Sequence, residues 1–323
     1  MMSLAPYVRI LARGQGRARS MEFDEARAAM ALMLGDEADP EAVGAILMLM
    51  RMKGETAAEI AGFAAAACDT LPRFGIVPGL DWPSYAAGRS RGLPWFLLSA
   101  RLVAAAGIPV LLHGWNSHQG PGVSVRAALP ALGIAQAGSV AEADAALSAD
   151  GIAYLPLEVL SPRIMALLRL RDVLGLRSCI NTVCRMLNPG RAPAAVQGVF
   201  HPPYRELQAD AGRILGLTRL TVLKGGGGEF EHHPAKDIAT FGLRDAQPWT
   251  GLTGREVAAH RRLADAPSDP AALAGLWSGT RPDTFAEAIV VSTAALALDT
   301  AGHELPEATA RALWDRRPRR LAA

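Results

Sequence analysis

Four short apolar segments separated by helical segments constrain the fold of this chain more than any other feature. Each is too short for a helix and is bounded by glycine or proline, which is typical of buried strands. The segments are Val110–Leu112, Ile152–Leu155, Val196–Phe200 and Leu220–Leu223. Helices are predicted between them, at 96–106, 125–132, 162–174 and 204–215. This alternation predicts an α/β fold with a mostly parallel sheet.

The first 70 residues predict a small helical lobe. Asp39-Pro40 is typical of a helix start, Gly35 of a helix end, and Thr56 with Glu59 of a capping box. The Pro/Gly-marked segment Pro72–Pro83 is interpreted as the connection to the α/β region. We therefore expect two lobes, the first helical and the second built around the sheet.

Composition excludes several classes of protein. Of the 323 residues, 50% are hydrophobic and 20% are charged, so a disordered chain is excluded. No apolar run approaches the ~20 residues of a membrane span, and the N-terminus lacks a secretion signal, so we expect a cytoplasmic protein and no membrane partner. All basic residues except Lys53, Lys224 and Lys236 are arginine. This bias suits anion binding, although an arginine-rich genome would produce it too.

Two segments carry candidate ligand-binding groups after predicted strands. In Lys224–Glu229, glycines including Gly226 and Gly227 could offer backbone amides to an anion. The cluster formed by Glu229, Glu231, His232 and His233 is interpreted as a solvated loop, with a divalent-ion site as the alternative.

A second set of candidates combines polar groups at a strand end with buried asparagines. His113 and Gly114 end a predicted strand, where open α/β sheets bind ligands; the polar residues that follow are Asn116, Ser117, His118 and Gly120. Asn181 and Asn188 lie among apolar residues, and they either brace the backbone or face a ligand.

Three segments resemble the anthranilate phosphoribosyltransferases of glycosyl transferase family 3. They are the N-terminal region 24–63, the segment 177–189, which is similar to the family's RTxFNxxGPLxNP, and the segment 199–204, which is similar to GVFHPxY. The resemblance implies a nucleoside phosphorylase/phosphoribosyltransferase-like fold. A helical lobe at 1–75, joined by helices from about 160–190, would lie on an α/β lobe at 76–323. It also implies a cleft between the lobes and a homodimer through the helical lobe.

The chain departs from that family where the sugar donor, phosphoribosyl pyrophosphate (PRPP), would bind. The family's GTGGD loop is replaced by Tyr85–Arg91, its N-x-S-T segment by Pro94–Leu97, and KHGN by Leu112–Trp115. Its acidic DE pair, which binds magnesium, is replaced by the glycine-rich segment with Glu229 and Glu231. We therefore expect no usual transferase activity, no catalytic or metal-binding residues and no cofactor, with Mg²⁺ required only if transfer persists.

Some positions still match the family's ligand cleft. Arg171 corresponds to the arginine that meets the aromatic acid's carboxylate. The full set of expected remnant-cleft residues is His113, Gly114, Arg171, Asn181, Asn188, Gly226, Gly227 and Glu229. Two alternatives follow from these positions: a transferase with an altered donor or acceptor, and an inactive scaffold with a small-ligand regulatory site.

The eroded donor loops are similar to those of a bacterial branch of the family that binds nucleic acid without transferase activity. On this resemblance we expect a dimer that binds DNA or RNA with little sequence preference through phosphate contacts. The residues expected to make them are Arg185, Arg191, Arg205, Arg213 and Lys224. The tail Arg316–Arg320 is interpreted as a solvated end.

Overall fold

A computed structural model describes residues 3–14, 16–85, 92–115, 124–258, 261 and 269–319. Its centre is one eight-stranded sheet with the order β3-β4-β2-β1-β5-β6-β7-β8. The strands are β1 Leu80–Ser84, β2 Val110–Gly114, β3 Ala135–Gln136, β4 Ile152–Pro156, β5 Ala194–Val199, β6 Arg219–Lys224, β7 Ile238–Arg244 and β8 Gln247–Thr253. β1 to β6 pair in parallel, and β7 and β8 add an antiparallel edge.

Helices precede the sheet and cover both of its faces. They are α1 Ala5–Ala12, α2 Phe23–Met33, α3 Pro40–Lys53, α4 Ala57–Asp69, α5 Phe96–Ala105, α6 Val125–Ala128, α7 Val140–Asp150, α8 Leu157–Leu160, α9 Pro162–Arg169, α10 Arg171–Leu174, α11 Ile180–Arg185, α12 Tyr204–Ile214, α13 Ala271–Ser278, α14 Thr284–Thr300 and α15 Pro306–Arg316. Within the described residues, no helix is long and apolar enough to cross a membrane.

The predicted fold class is confirmed, and three strands and a short pairing segment were missed. The four predicted strands correspond to β2, β4, β5 and β6. The interpretation of Pro72–Pro83 as a connection is wrong at its end, because β1 begins at Leu80 despite containing Asp81 and Pro83. β7 and β8 were not predicted because they are half-exposed and are interrupted by glycine and proline, so they lack a continuous apolar run.

The two faces of the parallel strands bury two different cores. Along β2, Val110 and Leu112 join the core that contains α5, α13 and α14. Leu111 between them joins the core shared with the N-terminal helices, because successive strand side chains point to opposite faces. In this second core, α11 packs against α4 and α9. The boundary between the lobes at residues 75 and 76, and the homodimer, stay predictions.

A buried carboxylate connects the N-terminal helices. Glu59 at the start of α4 is fully buried and accepts hydrogen bonds from the backbone amides of Met21 and Thr56, each at 2.9 Å. It also pairs with Lys53 Nζ at 2.8 Å, while Thr56 Oγ1 accepts from the Glu59 amide at 3.3 Å. The predicted capping box is confirmed, and its glutamate also binds α3 and the segment before α2.

Replacing Glu59 should therefore cost more stability than replacing the cap. We expect Glu59→Ala to lower the free energy of unfolding by about 3 kcal/mol, because it leaves buried donors and Lys53 without their acceptor. Thr56→Ala should cost about 1 kcal/mol. Urea denaturation followed by circular dichroism measures both, with the exposed Glu41→Ala as the control. Equal effects for Glu59 and Glu41 would contradict the structure.

Candidate active site

The central strands separate toward their carboxyl ends. β1 pairs with β2 along its whole length, but it pairs with β5 only at Leu80 and Asp81. Pro83, which has no N–H to donate, lies beyond the last β1–β5 pair. The order of strands along the chain reverses at this point, and open α/β sheets bind ligands outside the carboxyl ends of such strands.

A cleft of about 370 Å³ lies where the helical lobe meets this edge of the sheet. α3, α10, α11, α12 and the end of β5 all contribute to it. Gly175, with a φ of 68°, ends α10 in the left-handed conformation, and the chain on both sides of this turn reaches the cleft. The lining residues are Arg51, Glu55, Arg171, Asp172, Gly175, Leu176, Arg177, Ser178, Asn181, Thr182, Arg185, Val199, Phe200, His201, Tyr204 and Gln208.

The exposed end of this cleft, which we call the rim, carries crowded positive charge. Burial, together with the nearby charges of Arg171 and Arg51, lowers the pKa of the Arg177 guanidinium. Arg51 also donates to the Arg177 carbonyl oxygen at 2.7 Å. Of the two acids present, Glu55 accepts from the Tyr204 hydroxyl at 2.9 Å, and Asp172 lies 3.8 Å from Arg171 Nε. Four arginines facing two carboxylates make the cleft suited to an anionic ligand.

The inner end of the cleft, which we call the floor, is formed by buried polar side chains. Arg185 is 5% exposed and donates through Nη1 to Asn181 Oδ1 at 2.6 Å and to the Asn181 carbonyl at 3.0 Å. Burial lowers the pKa of this guanidinium. Gln208 on α12 is 1% exposed. Among the described residues, Arg185 Nη2 and Gln208 Oε1 have no hydrogen-bond partner.

Of the predicted remnant-cleft residues, Arg171 and Asn181 line the cleft. Asn188 does not line it: its Oδ1 accepts from the Ala192 amide, and its Nδ2 donates to the Ala192 carbonyl, both at 2.8 Å. These bonds hold Asn188 at a φ of 38° in the turn before β5. Each of the two roles left open for these asparagines applies to one of them: Asn188 braces the backbone, whereas Asn181 faces the cleft.

His113 and Gly114 lie at the carboxyl end of β2, as predicted, but they contact neighbouring parts of the protein interior and do not line the cleft. His113 is fully buried, with Nδ1 2.8 Å from the Tyr85 hydroxyl and Nε2 3.3 Å from Asp81 Oδ1. A Cβ on Gly114 would lie 1.9 Å from the Ser84 carbonyl oxygen, so only glycine permits this approach of β1 and β2. The predicted polar residues Asn116, Ser117, His118 and Gly120 lie outside the described residues.

The glycine-rich segment after β6 uses its amides within the protein. The amides of Gly226, Gly228 and Glu229 donate to the carbonyls of Glu231, Gly225 and Gly226, at 3.1–3.3 Å. Gly227 takes a φ of 64° in the tight turn between them. The structure therefore differs from the expected anion cradle, because three of its donors already have backbone acceptors.

The interpretation of the acidic and histidine cluster as a solvated loop is wrong. Its four residues, Glu229, Glu231, His232 and His233, are at most 9% exposed. The His232 ring contacts Ser292 Oγ and Thr253 Oγ1, each at 2.8 Å, and burial lowers its pKa to about 4. Across the part of the chain that the structure describes, no three His, Cys, Asp or Glu residues form a group that could hold a metal ion.

Aromatic side chains and an internal carboxylate fill the region of the replaced donor segments. Trp82 stacks on Phe96 with ring centroids 6.0 Å apart and meets Phe230 edge-on at 5.4 Å. The Glu231 carboxylate accepts from the Phe96 amide at the start of α5, at 3.1 Å. The carboxylate of Glu231 therefore caps the N-terminus of α5, where a phosphate group could otherwise bind. Of the segment Tyr85–Arg91, residues 86–91 lie outside the described residues.

The basic residues expected to contact nucleic acid do not form one face. Arg185 is buried in the cleft, and Arg205 donates to the Ala239 carbonyl at 3.1 Å with its guanidinium over Phe241. Arg191, Arg213 and Lys224 are exposed. Arg191 precedes β5, whereas Lys224 ends the neighbouring parallel strand β6. They therefore lie at opposite ends of these strands, roughly 20 Å apart.

The C-terminal arginines are also not a uniform solvated end. Arg317 is 8% exposed and lies over Trp314, with its guanidinium carbon 3.5 Å from the ring centroid. It donates to the carbonyls of Trp277, Trp314 and Leu276. Arg316 and Arg319 are exposed, and Arg320 lies outside the described residues.

The N-terminal helices and the overall fold are similar to those of glycosyl transferases. Residues 5–70 match the helical bundle domain of a glycosyl transferase family. The structure is similar to an anthranilate phosphoribosyltransferase from Thermus thermophilus, with a TM-score of 0.76, 22% identity and 98% of each chain covered. A Saccharomyces cerevisiae enzyme in complex with PRPP and Mg gives 0.74 at 15% identity, with 95% of this chain and 91% of that chain covered. The fold is thus that of a glycosyl transferase.

Sequence relatives identify the family. The chain is 31% identical over 260 residues to the anthranilate phosphoribosyltransferase of Halobacterium salinarum, covering 74% of this chain and 75% of that protein. It is 28% identical over 295 residues to that of Geobacillus kaustophilus, covering 88% and 86%. The chain belongs to the anthranilate phosphoribosyltransferase family. The main functional prediction, a nucleic-acid-binding protein, is contradicted: these relatives and structural neighbours are transferases, and the predicted basic residues are buried or dispersed.

Several residues of the cleft were not predicted from the sequence. Arg51, Arg177 and Tyr204 stand inside the segments that carried the family resemblance, and this position was a signal that they belong to a ligand site. Glu55 lies inside the same N-terminal segment, 24–63. Gln208 offered a weaker signal, as a polar residue on the inward face of a predicted helix.

His232 predicts a pH dependence of stability. Its folded-state pKa of about 4 lies below the ordinary 6.5, so the unfolded chain takes up the proton first and stability falls as the pH drops from 6.5 toward 4. The loss from this residue should reach about 2 kcal/mol at pH 5. Denaturation of His232→Gln at pH 7 and pH 5 should show a correspondingly smaller loss of stability than that of the wild type. An unchanged pH dependence in His232→Gln would show that the ring has the same pKa in the folded and unfolded chains, which contradicts the lowered pKa.

Proposed function

We propose that this protein is a glycosyltransferase that moves a pentosyl group from a phosphate-activated donor to a small organic acid. The observation that carries the proposal is the arginine-lined cleft beside the β1–β5 separation, where Arg171 and Arg177 crowd positive charge at the rim. Arginine binds a carboxylate through paired N–H groups. Family membership supports the reaction class, and one S. cerevisiae neighbour forms a complex with 4-fluoroanthranilate, a small aromatic acid.

The reaction is a substitution at the first carbon of the pentose. A nitrogen of the acceptor forms a bond to this carbon while the bond from the carbon to the phosphate oxygen breaks. The phosphate or pyrophosphate leaves with the electron pair, and the acceptor nitrogen loses its proton to solvent. In this proposal Arg171 and Arg177 orient the acceptor through its carboxylate, and Asn181 contributes a neutral polar contact beside them.

The donor side of this site is altered. Phe96 and Trp82 are fully buried in the hydrophobic core, and the Phe96 amide already donates to Glu231. Each charge-assisted hydrogen bond lost to a phosphate group is worth about 1.5–3 kcal/mol. We therefore propose a donor with fewer anionic groups than PRPP, such as a pentose 1-phosphate.

Magnesium, which the family implies, does not fit the described carboxylates as a resident ion. Glu231 is fully buried and engaged with α5, and Glu229 is 1% exposed, whereas Mg²⁺ keeps several waters in most protein sites. Magnesium carried on the phosphates of a donor remains compatible with this site, and the assay below includes it for that reason. No step is assigned to a metal held by this chain.

A direct assay tests the proposal. The protein is incubated with 2-aminobenzoate, Mg²⁺ and either ribose 1-phosphate or PRPP, and pentosylated acid is measured by mass spectrometry. We expect product, with faster turnover of ribose 1-phosphate. Arg171→Gln should raise the KM for the acid about tenfold or more, because it removes a charged hydrogen-bond donor, and should change kcat less. The exposed Arg213→Gln should match the wild type. No pentosylated acid from either donor contradicts the proposed function.

A further inference from the structure

The floor of the cleft holds two polar side chains that have unpaired atoms among the described residues. Arg185 is 5% exposed, and its Nη1 donates to the side chain and carbonyl of Asn181. Gln208 is 1% exposed. Within the described residues, Arg185 Nη2 and Gln208 Oε1 have no hydrogen-bond partner although both side chains line the cleft. Buried polar atoms in native proteins are usually paired, so these two atoms point to a missing ligand.

The charge at the floor is separate from the charge at the rim. Arg51 at the rim is exposed, and Arg171 and Arg177 are half-buried, whereas Arg185 is buried at the other end of α11 from their turn. The apolar side chains of Val199 and Phe200 also line the cleft. The cavity therefore offers a guanidinium at each end and apolar surface along its wall.

The nearby acidic residue does not replace a ligand at the floor. Burial lowers the pKa of Arg185, and the charge of Glu229 partly opposes this effect. A guanidinium remains protonated in proteins. The unpartnered Nη2 nonetheless requires an acceptor oxygen in direct contact. The unpartnered Gln208 oxygen requires a donor, such as an amine or a hydroxyl group.

We propose that Arg185 and Gln208 form a second anion subsite, so that the cleft selects an acid with two anionic groups at opposite ends of one apolar body. The inference rests on the proposed function, because it specifies the acceptor of the same site. The rim arginines bind one carboxylate and Arg185 Nη2 binds the other, while Gln208 accepts from a neighbouring N–H or O–H group. A phosphate group of the donor has the same chemistry at Arg185, and the experiment must separate the two sources.

Four simple probes separate one anion from two and fix their spacing. Isothermal titration calorimetry at pH 7.5 measures the binding of benzoate, phthalate, isophthalate and terephthalate. We expect isophthalate or terephthalate to bind about tenfold or more tightly than benzoate, because a second charge-assisted hydrogen bond is made. Phthalate should gain less, since its two carboxylates are adjacent. Equal affinity for all four acids overturns the proposal.

Variants assign the second anion to the floor. Arg185→Gln should weaken the best diacid about tenfold or more and benzoate less than twofold, and Arg185→Lys should restore part of the preference. Gln208→Glu adds a negative charge at the floor, should weaken the diacid selectively, and carries the test if Arg185→Gln does not fold. The exposed Arg213→Gln is the matched control. A uniform loss for monoacid and diacid in both floor variants overturns the proposal.

Inorganic pyrophosphate and phosphate are titrated in the same series. Binding of either that depends on Arg185, without a preference for diacids, assigns the floor to the donor and overturns the acceptor assignment. Retained diacid preference without pentosyl transfer contradicts only the proposed function. Transfer to 2-aminobenzoate without diacid preference contradicts only the present inference.

Discussion

The early separation of β1 from β5 is the constraint on which the rest of the site depends. Two residue pairs hold these strands together, and beyond them the sheet opens toward the helical lobe. The gap allows the end of β5 and the start of α12 to face α11 and the α10–α11 turn. The cleft and its arginines exist because two lobes meet over this opening rather than because any single motif creates a site.

Two regions at the carboxyl ends of the strands differ in how they can bind an anion. On the side proposed for the acceptor, positive charge is crowded: Arg177 lies close to Arg51 and Arg171, and one nitrogen of Arg185 lacks a partner among the described residues. On the donor side, the Phe96 amide binds the internal carboxylate of Glu231. Buried polar groups are stable only when satisfied, so the first arrangement favours a bound acid whereas the second disfavours a highly charged donor. This contrast underlies the proposal of a transferase with an altered donor.

Local patterns in the sequence were sufficient for the fold class and for parts of the site. Strands such as β2 and β4 are buried on both faces and appear as apolar runs, and Thr56 with Glu59 marks a helix start through adjacent residues. Strand β1 could not be predicted in this way. Its Asp81 carboxylate lies 3.3 Å from His113 Nε2 on the next strand, and its Pro83 lies where β5 no longer pairs with β1.

The sequence predicted which residue types could bind a ligand, but not which of these side chains face the cleft. Arg171 and Asn181 were assigned to the cleft and line it, whereas Asn188 has the same side chain as Asn181 but bonds to Ala192. Arg185 was predicted to contact nucleic acid at the mouth of the cleft, whereas it is buried at the floor of the cleft. Burial and partner choice depend on tertiary contacts between distant segments, and a count of basic residues cannot supply them.

The central claim is that the opening between β1 and β5, covered by the helical lobe, is an anion-binding acceptor site. A crystal structure of the protein with 2-aminobenzoate tests it most directly. We expect the ring in the cleft between α11 and α12, with its carboxylate within hydrogen-bond distance of Arg171 or Arg177. An empty cleft in crystals saturated with the acid, or the acid bound only at the opposite edge of the sheet beside Arg191, would contradict it.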